Sequence, residues 1–292
     1  MKKTLKIVVL AKQVPDTRNV GKDAMKADGT VNRAALPAIF NPEDLNALEQ
    51  ALVLKDRFPG SEVTLLTMGP GRAAEIIREA MFRGADGGVL LSDRKFAGSD
   101  TLATSYALSR AILKLNPDII VAGRQAIDGD TAQVGPQVAE KLGWPQITYV
   151  EEIVGTEGDE LIIKRRLEQG VETVACPLPL LVTVNASAPE CRPRHAKRVM
   201  KYKYAKTASE AQSASTDYDD TLRKERPYLN ITEWSVADVD ADDAQLGLAG
   251  SPTKVKKIEN VVFAAKEAKR LTAADSDIDG LMKELIASHT LG

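Results

Sequence analysis

The chain has 292 residues, of which 39 are Lys or Arg and 41 are Asp or Glu, giving a formal net charge of −2. This balance argues against nucleic-acid binding through bulk charge. Apolar residues make up 43% and aromatic residues only 4%, which excludes global disorder and favours an α/β interior of small aliphatic side chains.

The cysteine and histidine content argues against disulfide and metal chemistry. Cys176 and Cys191 are too few for a disulfide framework, so we expect a reducing, cytoplasmic setting. His195 and His289 lie far apart, and no metal site is predicted. No stretch reaches the roughly 18–20 apolar residues of a membrane span. The apolar run at residues 7–10 is too short for a signal peptide and is predicted to be a strand.

The first half of the sequence alternates buried strands with helices. Asn41 is predicted to cap the first helix, Gly84 to end the second, and Ser99 or Asp100 to cap the third. This alternation predicts a twisted parallel sheet with helices on both faces, which binds ligands at the carboxyl ends of its strands. The predicted strands are 5–10, 62–68, 88–91 and 118–122, and the helices begin near 42, 73, 100 and 131.

The second half has a different pattern. Three runs predict a small antiparallel extension with turns at Gly158 and Gly170, and residues 180–184 are predicted to return to the main sheet. Residues 192–206 are basic, and residues 207–220 have linker composition. We expect a nucleotide-binding domain over 1–205, a linker or extended arm over 206–250 and a helical tail over 251–292, with helical stretches at 261–271 and 278–286. The antiparallel runs are 147–154, 160–167 and 171–176.

Residues 123–136, GRQAIDGDTAQVGP, leave a buried strand and enter a helix. Free backbone N–H groups at residues 131–134 and the helix dipole would form an anion site suited to a pyrophosphate. Gly129 is predicted to permit a tight turn and Gly135 a close approach, while Asp128 and Asp130 could accept from ribose hydroxyls or cap the helix. On these residues alone, an ordinary capped strand-to-helix turn explains the segment equally well.

Two further segments are less specific. Residues 69–74 match G-x-G-x-x-A, but they follow the second strand and favour a simple helix-opening turn. The long polar loop at 92–101 fits either a functional loop or a plain surface loop. Arg192 and Arg194 could lower the pKa of the Cys191 thiol, although no partner for catalysis is found beside it.

The segment VAGRQAIDGDTAQVGP resembles the signature of the β (small) subunits of electron transfer flavoproteins, as do Lys12-Gln13-Val14-Pro15-Asp16, Asn41-Pro42-Glu43-Asp44 and Met68-Gly69-Pro70. The resemblance covers roughly residues 5–205. It implies an adenine nucleotide α hydrolase-like, or Rossmann-like, fold and a heterodimer with an α subunit that holds FAD.

Three features resemble the electron-bifurcating branch of that family: the Asp128-Gly129-Asp130-Thr131 turn with Gly135-Pro136, the loop at 93–104, and residues 28–33, which resemble an N-terminal hairpin. In that branch the β subunit binds a second FAD that accepts hydride from NADH. One electron passes through the α-subunit FAD to an acyl-CoA dehydrogenase-type flavoenzyme, and the other passes to ferredoxin or flavodoxin. A quinone-linked FixA-like branch shares much of this pattern.

Two alternatives remain. In the simple carrier branch, the β subunit binds AMP at the same place and electrons pass only through the α-subunit flavin. If the family resemblance is set aside, the same residues also fit a stand-alone adenine-nucleotide-binding protein.

The resemblance also implies which residues contact the cofactor and the partner. The adenosine would be lined by Leu10, Asn41, Asp44 and Met68. The pyrophosphate and ribose would lie against Gly123, Arg124, Ala126, Ile127, Asp128, Gly129, Asp130, Thr131, Ala132, Gln133, Val134, Gly135, Pro136 and Gln137. The ribityl and isoalloxazine portion would be surrounded by Ser92, Phe96, Ala97, Ser99, Asp100, Thr101 and Thr104. The recognition loop at 191–205 would dock a dehydrogenase through Arg192, Arg194, His195, Lys197 and Arg198.

Overall fold

The computed structural model describes residues 4–16, 37–214, 216–253, 268 and 270–291. The chain divides into two compact units, residues 1–256 and 257–292. The second unit contains helix α8 (Asp275–Ala287), which confirms the helical stretch predicted at 278–286. The stretch predicted at 261–271 lies almost wholly outside the described residues, and the predicted hairpin at 28–33 lies entirely outside them.

Within the described ranges of the first unit, nine strands form one sheet in the order β11-β5-β4-β1-β6-β10-β7-β8-β9. Neighbours are parallel from β11 to β7, and the pairs β7–β8 and β8–β9 are antiparallel. A separate antiparallel pair joins β2 to β3. The strands are β1 (Lys6–Leu10), β2 (Gln13–Pro15), β3 (Ala38–Phe40), β4 (Glu62–Met68), β5 (Gly87–Leu91), β6 (Ile119–Gly123), β7 (Gln146–Glu157), β8 (Glu160–Leu167), β9 (Gly170–Pro177), β10 (Leu180–Val184) and β11 (Thr232–Trp234).

The helices cover both faces of the sheet, as the strand–helix alternation predicted. Side chains alternate along β1, so Ile7 and Val9 join the apolar cluster beneath α1 and α2, whereas Val8 and Leu10 join the cluster beneath α3 and α4. The helices of the first unit are α1 (Pro42–Arg57), α2 (Ala74–Arg83), α3 (Thr101–Leu115), α4 (Val134–Leu142), α5 (Ala196–Tyr202), α6 (Ala208–Ala214) and α7 (Asp217–Glu225). None of the described helices is long and apolar enough to cross a bilayer.

Local signals set several element ends as predicted. Gly84 ends α2 with a φ of +148°, a backbone conformation that other residues rarely adopt. Asp100 caps α3, since its carboxylate accepts from the N–H groups of Leu102 and Ala103. Gly158 lies in the turn between β7 and β8, and Gly170 begins β9 directly after the next turn; both have positive φ values. Strand β10 returns to the sheet between β6 and β7.

Residues 207–220, which have linker composition, form α6 and the first four residues of α7. A capping box between Thr216 and Asp219 fixes the start of α7, and the buried Leu222 attaches the helix to the core. The arm expected over 206–250 continues along the sheet, where β11 pairs with β5 and Val236 and Leu246 are buried. The sequence did not predict these contacts, because the few apolar residues that make them are widely spaced in segments of polar composition.

The close approach of α2 to β5 gives a matched test of packing. A Cβ added at Gly88 would lie 2.4 Å from Cγ2 of Ile77, whereas a Cβ at Gly87 would meet no atom within 4 Å. We expect Gly88→Ala to lower the free energy of unfolding by about 1–3 kcal/mol, because the helix must move away from the sheet. Gly87→Ala in the same strand should leave stability unchanged or raise it by about 0.5–1 kcal/mol.

Urea unfolding of both variants beside the unmodified chain measures the difference. Equal midpoints for the two variants would contradict the packing described for Gly88.

Candidate functional site

A cleft of about 420 Å³ lies at the carboxyl edge of the sheet, beside the ends of β1, β4 and β6. One wall is the loop that connects β6 to α4, and the opposite wall is the loop that connects β5 to α3 together with the start of α3. This position matches the expectation for a parallel sheet. The lining residues are Leu10, Ala11, Lys12, Asp44, Leu66, Met68, Phe96, Gly98, Ser99, Asp100, Thr101, Thr104, Leu108, Ala122, Gly123, Arg124, Gln125, Ala126, Gly129, Asp130, Thr131, Ala132, Gln133, Val134 and Gly135.

Most of the residues predicted to contact a cofactor therefore lie around one cleft. Seven predicted residues are not among the lining residues: Asn41, Ser92, Ala97, Ile127, Asp128, Pro136 and Gln137. The prediction missed Ala11, Lys12, Leu66, Gly98, Leu108, Ala122 and Gln125. Lys12, Ala122 and Gln125 belong to the quoted motifs and could have been included, whereas the sequence pattern indicated only a core position for Leu66 and Leu108.

The first turn of α1 holds the loop after β6. Asn41 was predicted to cap α1, but its side chain makes no capping bond. Its Nδ2 donates to the carbonyl of Gln125 over 2.8 Å, and its Oδ1 accepts from the N–H of Ile127 over 3.2 Å. Glu43 accepts from Nη2 of Arg124 and from the N–H of Gln125, each over 3.1 Å. Asn41 is thus the N-cap residue of α1, as predicted, and its carbonyl accepts from the N–H of Leu45, but its side chain binds the cleft loop.

Asp44 lies at the bottom of the cleft and joins the ends of two strands. Its Oδ2 accepts from the N–H of Lys12 over 2.8 Å. A Cβ on Gly123 would approach Oδ1 of Asp44 to 2.3 Å, so only glycine fits beside this carboxyl group. Burial raises the pKa of Asp44 to about 7, although the N–H of Lys12 and the side chain of Asn41 oppose the shift.

The loop between Gly123 and α4 differs from its prediction in one respect. The helix begins at Val134 and not at 131, because Asp130 and Ala132 have φ values of +49° and +52° and cannot continue a helix. The left-handed backbone therefore falls on these two residues and not on Gly129. The N–H groups of Val134 and Gly135 lie in the first turn, where an α-helix offers no internal acceptor.

The acidic side chains of this loop do not cap α4, contrary to one of their predicted roles. Asp128 binds Nζ of Lys12 over 2.7 Å, and Asp130 accepts from Nε2 of Gln125 over 3.0 Å. Gly135 allows α4 to approach β10, since a Cβ there would lie 2.7 Å from Cγ2 of Thr183. The close approach predicted at Gly135 is therefore that of strand β10.

The opposite wall is tied to the first by side chains. Thr101 donates from Oγ1 to Oε1 of Gln133 over 2.9 Å, which links the start of α3 to the loop before α4. Phe96 is buried, and Ser99 donates to its carbonyl. Burial disfavours the Asp100 carboxylate, but hydrogen bonds from backbone N–H groups outweigh this and lower the pKa of Asp100. Asp100 is therefore an ionised cap within the wall.

The basic segment at 191–205 contains both internal and exposed cations. Arg192 was predicted to dock a partner, but its guanidinium binds Glu49 and Asp56 on α1, both over 2.9 Å. Arg194 lies 3.2 Å from Glu79. Burial raises the pKa of Cys191 to about 12, and the opposing effect comes from Arg83 and not from Arg192 or Arg194 as predicted. The docking candidates His195, Lys197 and Arg198 line a second pocket of about 320 Å³, together with Asp86, Lys201 and Tyr202.

Comparisons with known proteins agree with this architecture. The model of the electron transfer flavoprotein domain matches residues 28–213. The electron transfer flavoprotein subunit beta of Megasphaera elsdenii is 47% identical over 261 residues, covering 87% of each chain. The protein FixA of Rhizobium leguminosarum is 40% identical over 289 residues, covering 96% of this chain and 93% of the relative. The caffeyl-CoA reductase-Etf complex subunit CarD of Acetobacterium woodii is 51% identical over 180 residues, covering 61% of this chain and 68% of the relative.

The chain belongs to the electron transfer flavoprotein family, in the group of its β subunits, which includes FixA. Subunits of this group pair with an α subunit. The resemblance inferred from the sequence motifs is thereby confirmed, as is the fold class.

The shifted pKa of Asp44 predicts a specific pH dependence of stability. The carboxyl group is protonated in both states below pH about 4, and in the unfolded chain it ionises near pH 3.9. Between that value and about 7, the folded chain holds the proton that the unfolded chain has released. Its contribution to stability is therefore complete below pH about 4 and is lost as the pH rises through 7.

Asp44→Asn keeps the shape of the side chain and removes this titration. Between pH 5 and pH 8, we expect the free energy of unfolding of the unmodified chain to fall relative to that of the variant. Urea unfolding of both proteins at the two pH values measures this fall. Parallel pH profiles would show that Asp44 is already ionised in the folded chain.

Proposed function

We propose that the chain binds FAD in the cleft and acts as the β subunit of an electron-bifurcating electron transfer flavoprotein. The observation that carries this proposal is the extent of the cleft, which runs from the loop after β6 to Phe96 and Thr104 on the opposite wall. An adenosine and a phosphate beside Leu10, Asp44, Met68 and the loop after β6 would leave the wall at Phe96 and Thr104 without a contact. The second wall leaves room for the rest of a dinucleotide.

The residues present fit a phosphate-bearing ligand. Arg124 lines the cleft, and its buried Nε makes no hydrogen bond within the described part of the chain. The first-turn N–H groups of Val134 and Gly135 add donors at the positive end of a helix. A buried donor without a partner is costly, so a ligand oxygen at this place would be stabilising.

A bound flavin would supply hydride acceptance from NADH and one-electron transfer, and the chain would supply binding and orientation. The described side chains would hold the adenosine beside Leu10, Asp44 and Met68, the phosphates beside the loop after β6, and the ring system beside Phe96. The buried wall at Phe96 and Leu108 would exclude water from that end of the ligand.

The partner proposal rests on the exposed part of the basic segment. His195, Lys197, Arg198 and Lys201 surround the second pocket, and only Asp86 among its lining residues is acidic. Such a surface fits an acidic face of an acyl-CoA dehydrogenase-type or acyl-CoA reductase flavoenzyme. The relative CarD is named as a subunit of a complex with caffeyl-CoA reductase. Ferredoxin or flavodoxin would accept the second electron, and the site of action would be the cytoplasm.

Cofactor analysis of the complex with its α subunit tests the proposal directly. The purified complex is denatured, and the released FAD and AMP are quantified. We expect two FAD and no AMP per αβ dimer, together with bleaching of both flavins by NADH. One FAD and one AMP per dimer would instead identify a simple electron carrier in which this chain binds AMP structurally.

Thr131 offers a point test of the phosphate position. It is exposed at the cleft, so its replacement should not lower the melting temperature. We expect Thr131→Val to weaken nucleotide retention by about three- to tenfold, the effect of one lost hydrogen bond. Thr131→Ser keeps the hydroxyl and is the matched control. If Val and Ser variants release nucleotide at the same rate, the phosphate lies elsewhere.

A further inference from the structure

Tyr149 has an unusual backbone conformation beside the cleft. Its φ is +59°, in a region that favours glycine and is unfavourable for an aromatic residue. It lies in β7 where the pairing with β10 shifts between Val182 and Val184, and the pairing with β8 shifts just after it, between Val150 and Glu152. The side chain is 40% exposed, so core packing does not explain the cost. Strained residues and bulges of this kind concentrate at functional sites, where they redirect a side chain.

The ring of Tyr149 lies against the guanidinium of Arg124, whose Cζ is 5.7 Å from the ring centroid. The sheet register brings the two residues together, because the N–H of Arg124 donates to the carbonyl of Val184, and Val184 pairs with Val150. On its other side Arg124 binds Oε1 of Glu43 over 3.1 Å. The guanidinium is therefore held between a carboxylate and an aromatic ring.

We propose that Tyr149 is a positioning residue for the nucleotide, whose ring holds the Arg124 guanidinium toward the phosphate groups of the ligand. The inference rests on the proposed function, since it requires a phosphate in the cleft. With the guanidinium held in this way, the unpaired Nε–H of Arg124 is the group that would donate to a phosphate oxygen. A long side chain fixed by an ion pair and a cation–π contact loses little further freedom when it binds a ligand.

The redirection of β7 from the parallel core into the antiparallel extension gives a purely structural alternative explanation of the strain. Tyr149→Gly separates the two, because glycine adopts the same φ without cost and keeps the bend of the strand. Tyr149→Phe keeps the ring and removes only the hydroxyl group. Both variants are made in the full-length chain, and each is compared with the unmodified protein.

Calorimetric titration with AMP and with adenosine is the measurement, beside the melting temperature. We expect Tyr149→Gly to weaken AMP binding by about three- to tenfold, as loss of one cation–π contact implies. Adenosine binding and the melting temperature should not fall. Tyr149→Phe keeps the ring but loses the hydroxyl group, which contributes to the raised pKa of Arg124, so it should lose less AMP affinity than Tyr149→Gly. In an Arg124→Gln background, Tyr149→Gly should cause no further loss, because the ring acts through Arg124.

Three results would overturn the inference. Unchanged AMP affinity in Tyr149→Gly would show that the ring positions nothing for the ligand. Equal losses for AMP and adenosine would indicate a structural role without phosphate specificity. Additive losses with Arg124→Gln would show that the two residues act separately. If the unmodified chain binds neither AMP nor FAD, the proposed function itself fails, and this outcome is distinct from the other three.

Discussion

The contact between the first turn of α1 and the loop after β6 is the constraint on which the cleft depends. Asn41 and Glu43 together satisfy both backbone groups of Gln125 and the N–H of Ile127. An irregular loop at a strand end cannot satisfy such groups by itself, and buried polar groups must be paired. Asp44 adds the end of β1 to the same arrangement through Lys12. The start of α1 thus fixes the chain just after β1 and the loop that follows β6.

The second wall of the cleft depends on residues that lie far away in sequence. The carbonyl of Trp234 accepts from Ser92, and Ser251 accepts from the N–H of Asp100. Gly247 donates to Oγ of Ser99, and a Cβ at Gly247 would lie 2.4 Å from the carbonyl of Lys95. The segment at 234–253 therefore supports the 92–101 loop from outside. The second wall of the cleft therefore depends on how this segment packs against the domain.

The difference between local patterns and contacts over long sequence distances explains what the sequence could and could not predict. Strands such as β1 and β4, and caps such as Gly84 and Asp100, depend on local pattern, and these predictions are confirmed. The start of α4 was placed too early because nothing in a single sequence indicates that Asp130 and Ala132 take left-handed backbone. Asn41 is the predicted N-cap residue, but the partners of its side chain were not predicted because they lie more than eighty residues away.

Pairing within the chain also determines which charges remain available to a ligand. Asp128 is neutralised by Lys12, Asp130 accepts from Gln125, and Asp100 caps α3. Glu43 binds Arg124, and Asp44 is buried with a raised pKa. The acids around the cleft are thus occupied by donors of the chain itself.

Among the described residues, the donors that remain for a ligand include Nε of Arg124 and the first-turn N–H groups of α4, beside the exposed hydroxyl group of Thr131. Oriented donors of this kind bind an anion by geometry, and burial protects such contacts from screening by salt. A phosphate in this cleft would therefore be held without a surplus of lysines or arginines. For that reason, the composition of the chain, with a formal net charge of −2, does not indicate a phosphate-binding site.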